Sequence, residues 1–197
     1  MFFMTLIRAC WASMLLVLLV GCQKPSFHNT DITGSALQAS FSLSDLSGQT
    51  RTLESYRGQV LVMFFGYTHC PDVCPITLQQ LAEVKARLGK DANKLAVLFV
   101  SVDPQRDTVS LLKNYVPQFH PDFNALVGTL EELEPLLTGL RIYHAKSDSQ
   151  ADSENYLIDH STSSYVFDPK GNLRLFVRHN SDINQLTDDI QNLMRGY

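Results

Sequence analysis

From about residue 41 to the C-terminus, hydrophobic positions alternate between strand-like runs and helix-like spacings. A continuously apolar run at 60–65 and a mostly apolar run at 95–102 are typical of central strands buried on both faces. Apolar residues three or four apart predict a helix after the first run and another at the C-terminus. They are Leu78, Leu81, Val84 and Leu88 in the first helix, and Ile183, Leu186, Ile190 and Leu193 in the last.

Two hairpins are predicted at the ends of this pattern. Residues 41–46 alternate as a half-buried strand, and a Ser-Gly turn leads to a second strand at 50–53. Near the C-terminus, 165–167 and 173–177 flank an Asp-Pro-Lys-Gly turn. The order of elements predicts an α/β fold of thioredoxin-like type, with a mixed central sheet flanked by helices and an N-terminal β-hairpin.

Start and stop signals predict two further helices. Asp107 or Thr108 is placed to cap a helix that Pro117 ends. The spacing Thr129-x-x-Glu132 fits a capping box, in a helix that Pro135 is expected to kink or shorten.

The N-terminal segment has a different character. Arg8 precedes a short apolar stretch that ends at Gly21-Cys22, which resembles a bacterial lipoprotein signal in which the cysteine is lipidated. A transmembrane anchor is the alternative, although the stretch is short for a bilayer. We therefore predict a signal peptide at 1–21, a lipidated tether with weak structure at 22–40 and one folded domain at 41–197.

The net charge and the cysteine content limit the kinds of function that the chain can have. The formal net charge is −4 with no cluster of Lys and Arg, which argues against a nucleic-acid partner. With Cys10 in the signal and Cys22 lipidated, Cys70 and Cys74 remain as free thiols. A disulfide that closes so short a loop restricts the unfolded chain little, so we expect this pair to have a chemical rather than a structural role.

The two cysteines lie in Gly66-Tyr-Thr-His-Cys-Pro-Asp-Val-Cys-Pro75, between a buried strand and a helix. This position, at the carboxyl end of a strand and near a helix N-terminus, favours a ligand site and the thiolate form. The pair could exchange with disulfides or bind a soft metal with an added imidazole. Of the histidines, His160 is favoured because its loop should lie against the cysteine loop in a thioredoxin-like fold.

The segment 66–75 resembles the signature of the Sco/SenC family of copper proteins. Val102-Asp-Pro-Gln-Arg-Asp-Thr108 is similar to the family's VDPxRDT segment, and Asp159-His160 precedes the terminal hairpin as the family's metal-binding histidine does. The resemblance implies Cys70, Cys74 and His160 as copper ligands, with Asp103 near the metal or in a capping role. It also implies delivery of Cu(I) or Cu(II) to the binuclear site of cytochrome c oxidase subunit II or another copper acceptor, or maintenance of that site's thiols.

Oxidation of Cys70 and Cys74 to a disulfide would remove both sulfur ligands, so a thiol reductant is an expected partner. The main alternative is a periplasmic thiol-disulfide oxidoreductase with Cys70 as nucleophile and Cys74 as resolving thiol. Reductases of this fold usually carry a proline near the position of Thr162, and 159–167 contains none. A structural domain with an incidental disulfide is a third alternative.

The predicted location is the bacterial cell envelope, in a membrane-anchored lipoprotein that faces the periplasm. Gln23 follows Cys22 where lipoproteins of the inner membrane usually carry Asp, whereas the family usually acts at that membrane. The sequence therefore does not distinguish the inner from the outer membrane as the location.

Overall fold

A computed structural model describes residues 26–147 and 156–197. The predicted signal peptide, Cys22 and most of the polar loop at 147–154 lie outside the described residues. The strands are β1 Thr30–Asp31, β2 Leu43–Asp45, β3 Thr50–Arg51, β4 Val60–Gly66, β5 Leu95–Ser101, β6 Asn124–Val127, β7 His144–Lys146, β8 Ile158–His160, β9 Ser164–Phe167 and β10 Leu173–Val177. The α-helices are α1 Val73–Arg87, α2 Val109–Tyr115, α3 Leu130–Gly139 and α4 Ile183–Met194. Short 3₁₀ helices occupy Leu53–Tyr56, Gly89–Lys94 and Val116–Gln118.

Eight strands form one mixed sheet in the order β1-β10-β9-β4-β5-β6-β2-β3. The three central strands, β4, β5 and β6, are parallel, and the strands on both sides of them pair antiparallel. β7 and β8 form a separate two-stranded ribbon. The predicted α/β fold of thioredoxin-like type, with a mixed sheet between helices, is confirmed.

The sheet has a hydrophobic core on each face, and β4 contributes to both. Val60, Val62 and Phe64 pack with α1, α2 and α4 on one side. The alternate residues, Leu61 and Met63 among them, pack with α3 and the approach to the ribbon on the other side. Because all of β4 is buried, its run of apolar residues without polar interruption is explained.

The predicted helix ends agree with the structure. Thr108 caps α2, and its hydroxyl accepts a hydrogen bond from the Leu111 N–H. Thr129 and Glu132 form the capping box of α3. This helix continues past Pro135 to Gly139, because Leu133, Leu136 and Leu137 are buried in the core.

Ordered structure begins earlier than composition predicts. Within the predicted tether, β1 pairs with β10, and the Gln38 N–H donates to the Gly139 carbonyl at the end of α3. The buried carboxylate of Asp189 accepts hydrogen bonds of 2.8–2.9 Å from the backbone N–H groups of His28 and Asn29 and from the Asn29 side chain. The order of this segment cannot be predicted from its polar composition, because backbone groups make most of its contacts with the domain. In the described ranges, no helix is both long and apolar enough to cross a bilayer.

Replacing Asp189 with Ala should destabilise the domain by about 2–3 kcal/mol, because it leaves three donors of the N-terminal segment without a charged acceptor. Urea unfolding measures the change. Asp188→Ala, at an exposed neighbouring position on α4, is the matched control and should change stability little. Equal effects of the two substitutions would contradict the role assigned to Asp189.

Candidate metal centre

The cysteine loop connects the carboxyl end of β4 to the start of α1. Cys70 lies in the loop and is half-buried, whereas Cys74 lies in the first turn of α1 and has no exposed surface. Pro75 fits this first turn because backbone N–H groups there have no partner within the helix. Both sulfurs therefore lie close to the positive end of a helix dipole, at the edge of the sheet where parallel strands end.

The ribbon of β7 and β8 brings His160 to this edge. His160 ends β8, and its Nε2 lies 3.6 Å from the Cys74 Sγ. One ligand atom from each of Cys70, Cys74 and His160 lies within 4.8 Å of the other two. Residues 86 positions apart in the chain thus form one compact cluster of two sulfurs and one imidazole nitrogen.

Two contacts fix the orientation of the His160 ring. Its Nδ1 lies 2.9 Å from the carbonyl oxygen of Ser161, and because a carbonyl only accepts, Nδ1 carries the proton. Nε2 is therefore the ring nitrogen that is available to a metal ion held by the sulfurs. The Tyr67 ring packs edge-on against the imidazole with centroids 5.6 Å apart, and its hydroxyl accepts a hydrogen bond from the Ile158 N–H of β8.

The pKa values of the two cysteines are shifted in opposite directions. The pKa of Cys70 is lowered to about 4, chiefly because the Cys74 thiol donates a hydrogen bond to its sulfur. The neighbouring imidazole and the backbone N–H groups of Asp72 and Cys74 lower this pKa further, while burial opposes them. The pKa of Cys74 is raised well above its usual value by the same hydrogen bond and by burial. The pair is therefore a thiolate at Cys70 beside a thiol at Cys74.

Gly66 makes room for the Cys74 sulfur. A Cβ at position 66 would lie 2.6 Å from the Cys74 Sγ and 2.9 Å from the Phe99 ring. The sulfur reaches its place against the end of β4 because this residue has no side chain. No role was expected for Gly66 from the sequence, although a glycine that ends an otherwise apolar strand was a visible signal.

Asp107 holds the start of the cysteine loop. Its buried carboxylate accepts hydrogen bonds from the Thr68 N–H and hydroxyl and from the Ser101 hydroxyl at the end of β5. Burial raises the pKa of Asp107 in spite of these bonds. This carboxylate therefore ties the loop to the neighbouring strand.

Asp103, considered from the sequence as a residue near the metal, binds other groups. Its two carboxylate oxygens accept hydrogen bonds from the Tyr156 hydroxyl at 2.7 Å and the Arg106 Nε at 2.6 Å. The Arg106 guanidinium lies 5.7 Å from the centre of the Tyr67 ring, which in turn contacts His160. Asp103 is thus connected to one of the three ligands, His160, by a chain of contacts through Arg106 and Tyr67.

The other histidines have separate environments. His69 is exposed and its Nδ1 is bonded to the Thr68 hydroxyl, so the ring is held beside the loop. His179 is bonded through Nδ1 to the Thr77 hydroxyl, and the His120 Nδ1 accepts a hydrogen bond from the Asp122 N–H. His144 is half-buried and lies directly opposite His160 in the ribbon.

Comparison with known families agrees with this arrangement. The SCO1/SenC family model matches residues 29–195, which include all three residues of the cluster and begin just before β1. The chain belongs to the SCO1/SenC family. The extent of the match also agrees with a domain that begins before residue 41.

Individual relatives extend the SCO1/SenC comparison. The chain is 34% identical over 162 residues to the mitochondrial SCO2 homologue of Bos taurus and 36% identical over 167 residues to the mitochondrial SCO1 homologue 1 of Arabidopsis thaliana. The matches cover 81% and 83% of this chain, but only 60% and 48% of the two relatives.

Two solved structures of this family were determined with copper bound. Arabidopsis thaliana ScoI has 35% identity and a TM-score of 0.74, and the match covers 82% of this chain and 100% of that one. Bradyrhizobium japonicum ScoI has 35% identity and a TM-score of 0.73, with coverage of 80% and 99%.

Replacing Gly66 with Ala should weaken Cu(I) binding by at least about tenfold, because the new Cβ displaces the Cys74 sulfur from the cluster. Competition with a Cu(I)-specific chromogenic chelator measures the affinity. Gly128→Ala is a matched control: its Cβ would meet the Leu43 side chain at 2.7 Å, and Gly128 is not part of the cysteine loop. Equal losses of Cu(I) affinity in the two variants would indicate a general packing defect and contradict this role of Gly66.

Reduced, metal-free protein should alkylate at Cys70 with little pH dependence between pH 5 and 7, because a pKa of about 4 keeps this thiol ionised throughout. An ordinary cysteine is less than about 1% thiolate at pH 6 and loses reactivity tenfold per pH unit. Iodoacetamide labelling followed by peptide mass spectrometry gives the profile. In Cys74→Ala the donor to Cys70 is lost, so the profile should move to higher pH; an unchanged profile would exclude the shared proton.

Proposed function

We propose that this protein binds a copper ion through Cys70, Cys74 and His160 and delivers it to an acceptor protein. The observation that carries the proposal is the convergence of two sulfurs and one imidazole nitrogen within 4.8 Å. Soft thiolates favour Cu(I), and a neutral imidazole suits copper as well. The copper-bound Sco structures of Arabidopsis and Bradyrhizobium support copper as the metal.

Each residue has a distinct part in holding and releasing the ion. Cys74, buried against Gly66, contributes the inner sulfur and loses its proton when metal binds, so affinity rises with pH. His160 contributes Nε2 from a ring held by the Ser161 carbonyl. Cys70 is half-buried and already a thiolate, so an incoming acceptor group reaches the metal ion from the side of Cys70.

We infer that the acceptor is the binuclear copper site of cytochrome c oxidase subunit II, as the family resemblance implies. Delivery of copper and maintenance of the acceptor's thiols both use the same pair. An open cluster of three ligands permits transfer by ligand exchange, since an acceptor cysteine or histidine can bind the ion before Cys70 leaves.

The same sulfurs make loading dependent on redox state. Cys70 and Cys74 are close enough for a small movement to form a disulfide, which would remove both sulfur ligands. We therefore propose a thiol reductant as a second partner in an oxidising compartment.

We further propose that residues 1–21 are a lipoprotein signal and that lipidated Cys22 holds the domain at the periplasmic face of a bacterial membrane. The apolar stretch before Cys22 and the small residue at 21 support this assignment. Such an anchor restricts the search for a membrane-bound acceptor to two dimensions.

Replacing His160 with Ala should lower the Cu(I) affinity of the reduced protein by at least about a hundredfold, because one of three ligands is lost. Titration against a competing Cu(I) chelator, with metal analysis, gives affinity and stoichiometry. His179→Ala removes another half-buried imidazole at the same edge of the sheet and should leave both values unchanged. One ion bound with equal affinity by wild type and His160→Ala would exclude His160 as a ligand.

The same variant separates copper delivery from thiol-disulfide exchange. The lowered pKa of Cys70 also suits a nucleophile in an oxidoreductase. If exchange with a disulfide substrate continues in His160→Ala, stops in Cys70→Ser, and wild type binds no copper, the oxidoreductase replaces the copper carrier.

A further inference from the structure

His144 is a second imidazole beside His160 on the same ribbon. The register pairs His144 with His160, Ala145 with Asp159 and Lys146 with Ile158. The Ser161 N–H donates to the Tyr143 carbonyl at 2.9 Å, one residue outside the histidine pair. This pattern makes His144 and His160 a non-hydrogen-bonded pair, in which the Cα atoms are about 4.5 Å apart and both side chains leave the same face.

The ring of His144 has no competing partner in the part of the chain that the structure describes. Among residues 26–147 and 156–197, no hydrogen bond or ion pair engages its nitrogens, in contrast to the rings of His69, His120 and His179. His144 lines a cavity of about 210 Å³ together with Asp103 and Tyr156. This space allows the half-buried ring to turn about its side-chain bonds.

In the observed rotamer His144 is not part of the cluster whose ligand atoms lie within 4.8 Å of one another. The three-ligand cluster suits Cu(I), which accepts low coordination numbers. Cu(II) prefers a tetragonal arrangement with additional nitrogen or oxygen ligands. His144 is a nitrogen donor of that kind, since it lies on the same ribbon face as His160 and its ring has no hydrogen-bond partner among the described residues.

We propose that His144 is a fourth ligand that joins Cys70, Cys74 and His160 when the site holds Cu(II) and is not bound when it holds Cu(I). This inference rests on the proposed copper function. It predicts that the preference of the site for one oxidation state is set in part by a residue outside the three-ligand cluster.

The test compares Cu(II) and Cu(I) binding by reduced, full-length protein in detergent, under anaerobic conditions. Pulsed EPR with ¹⁵N-labelled histidine counts the imidazoles bound to Cu(II) added as the sulfate. Wild type should show two, and His144→Phe, which keeps an aromatic ring on the ribbon, should show one. Its Cu(II) affinity should fall at least about tenfold while its Cu(I) affinity changes by less than about threefold.

His120→Phe is the matched control, because His120 stacks on Phe123 ahead of β6, at the opposite end of the sheet from the ligands. It should retain two imidazoles and wild-type affinities. A single imidazole in wild type, two in His144→Phe, or loss of the second imidazole in His69→Ala would each overturn the assignment of His144. Failure of wild type to bind either copper ion would instead overturn the proposed function.

Discussion

The close contact between the Cys74 sulfur and the backbone of Gly66 is the constraint on which the candidate metal centre depends. Cys74 is buried in the first turn of α1, and the sulfur can occupy this position only because β4 ends without a side chain. The contact fixes the inner donor relative to the central strand of the sheet. Backbone N–H groups at the helix N-terminus then bind the Cys70 sulfur. The hydrogen bond between the two sulfurs keeps the proton on Cys74 and stabilises the thiolate of Cys70.

The segment 102–108 connects the two halves of the centre without supplying a ligand. Asp107 holds the cysteine loop through Thr68, whereas Arg106 donates to the Tyr156 carbonyl at 2.8 Å on the approach to β8. Arg106 also lies over the Tyr156 ring, 3.5 Å from its centre. A change in this segment would therefore alter the separation of the sulfurs and the imidazole even though all three ligands remain. The segment therefore acts on the centre through the contacts by which it joins the cysteine loop to the approach to β8.

The parts of the fold that the sequence predicts are those with strong local patterns. The apolar run of β4, the spacing in α1 and the Thr129–Glu132 capping box each specify an element from nearby residues. β1 escaped prediction because it is two residues long and exposed, and it is held by β10 and Asp189, which are distant in sequence. No local pattern could have revealed those contacts.

The site shows the same division. The cysteine spacing and the helix start are local, so the sulfur pair could be placed from the sequence. The position of His160 followed only from the expected fold order, and its pairing with His144 depends on a ribbon register that no alternation in the sequence specifies. Asp103 was expected near the metal because of its motif, and its hydrogen bonds to Tyr156 and Arg106 come from residues that no local pattern in the sequence brings together.

The register of β1 sets the direction from which the chain enters the domain. β1 runs antiparallel to β10, and β10 runs in the same direction as β4 because both are antiparallel to β9. The amino end of β1 and the carboxyl end of β4 consequently lie at one edge of the sheet. The described chain does not begin at that edge, however: His28 and Asn29 bind Asp189 in the middle of α4, and the Phe27 ring lies 5.3 Å from the guanidinium of Arg174 near the start of β10. The segment that enters the domain therefore lies along α4, and it leaves the approach to the cysteine loop open.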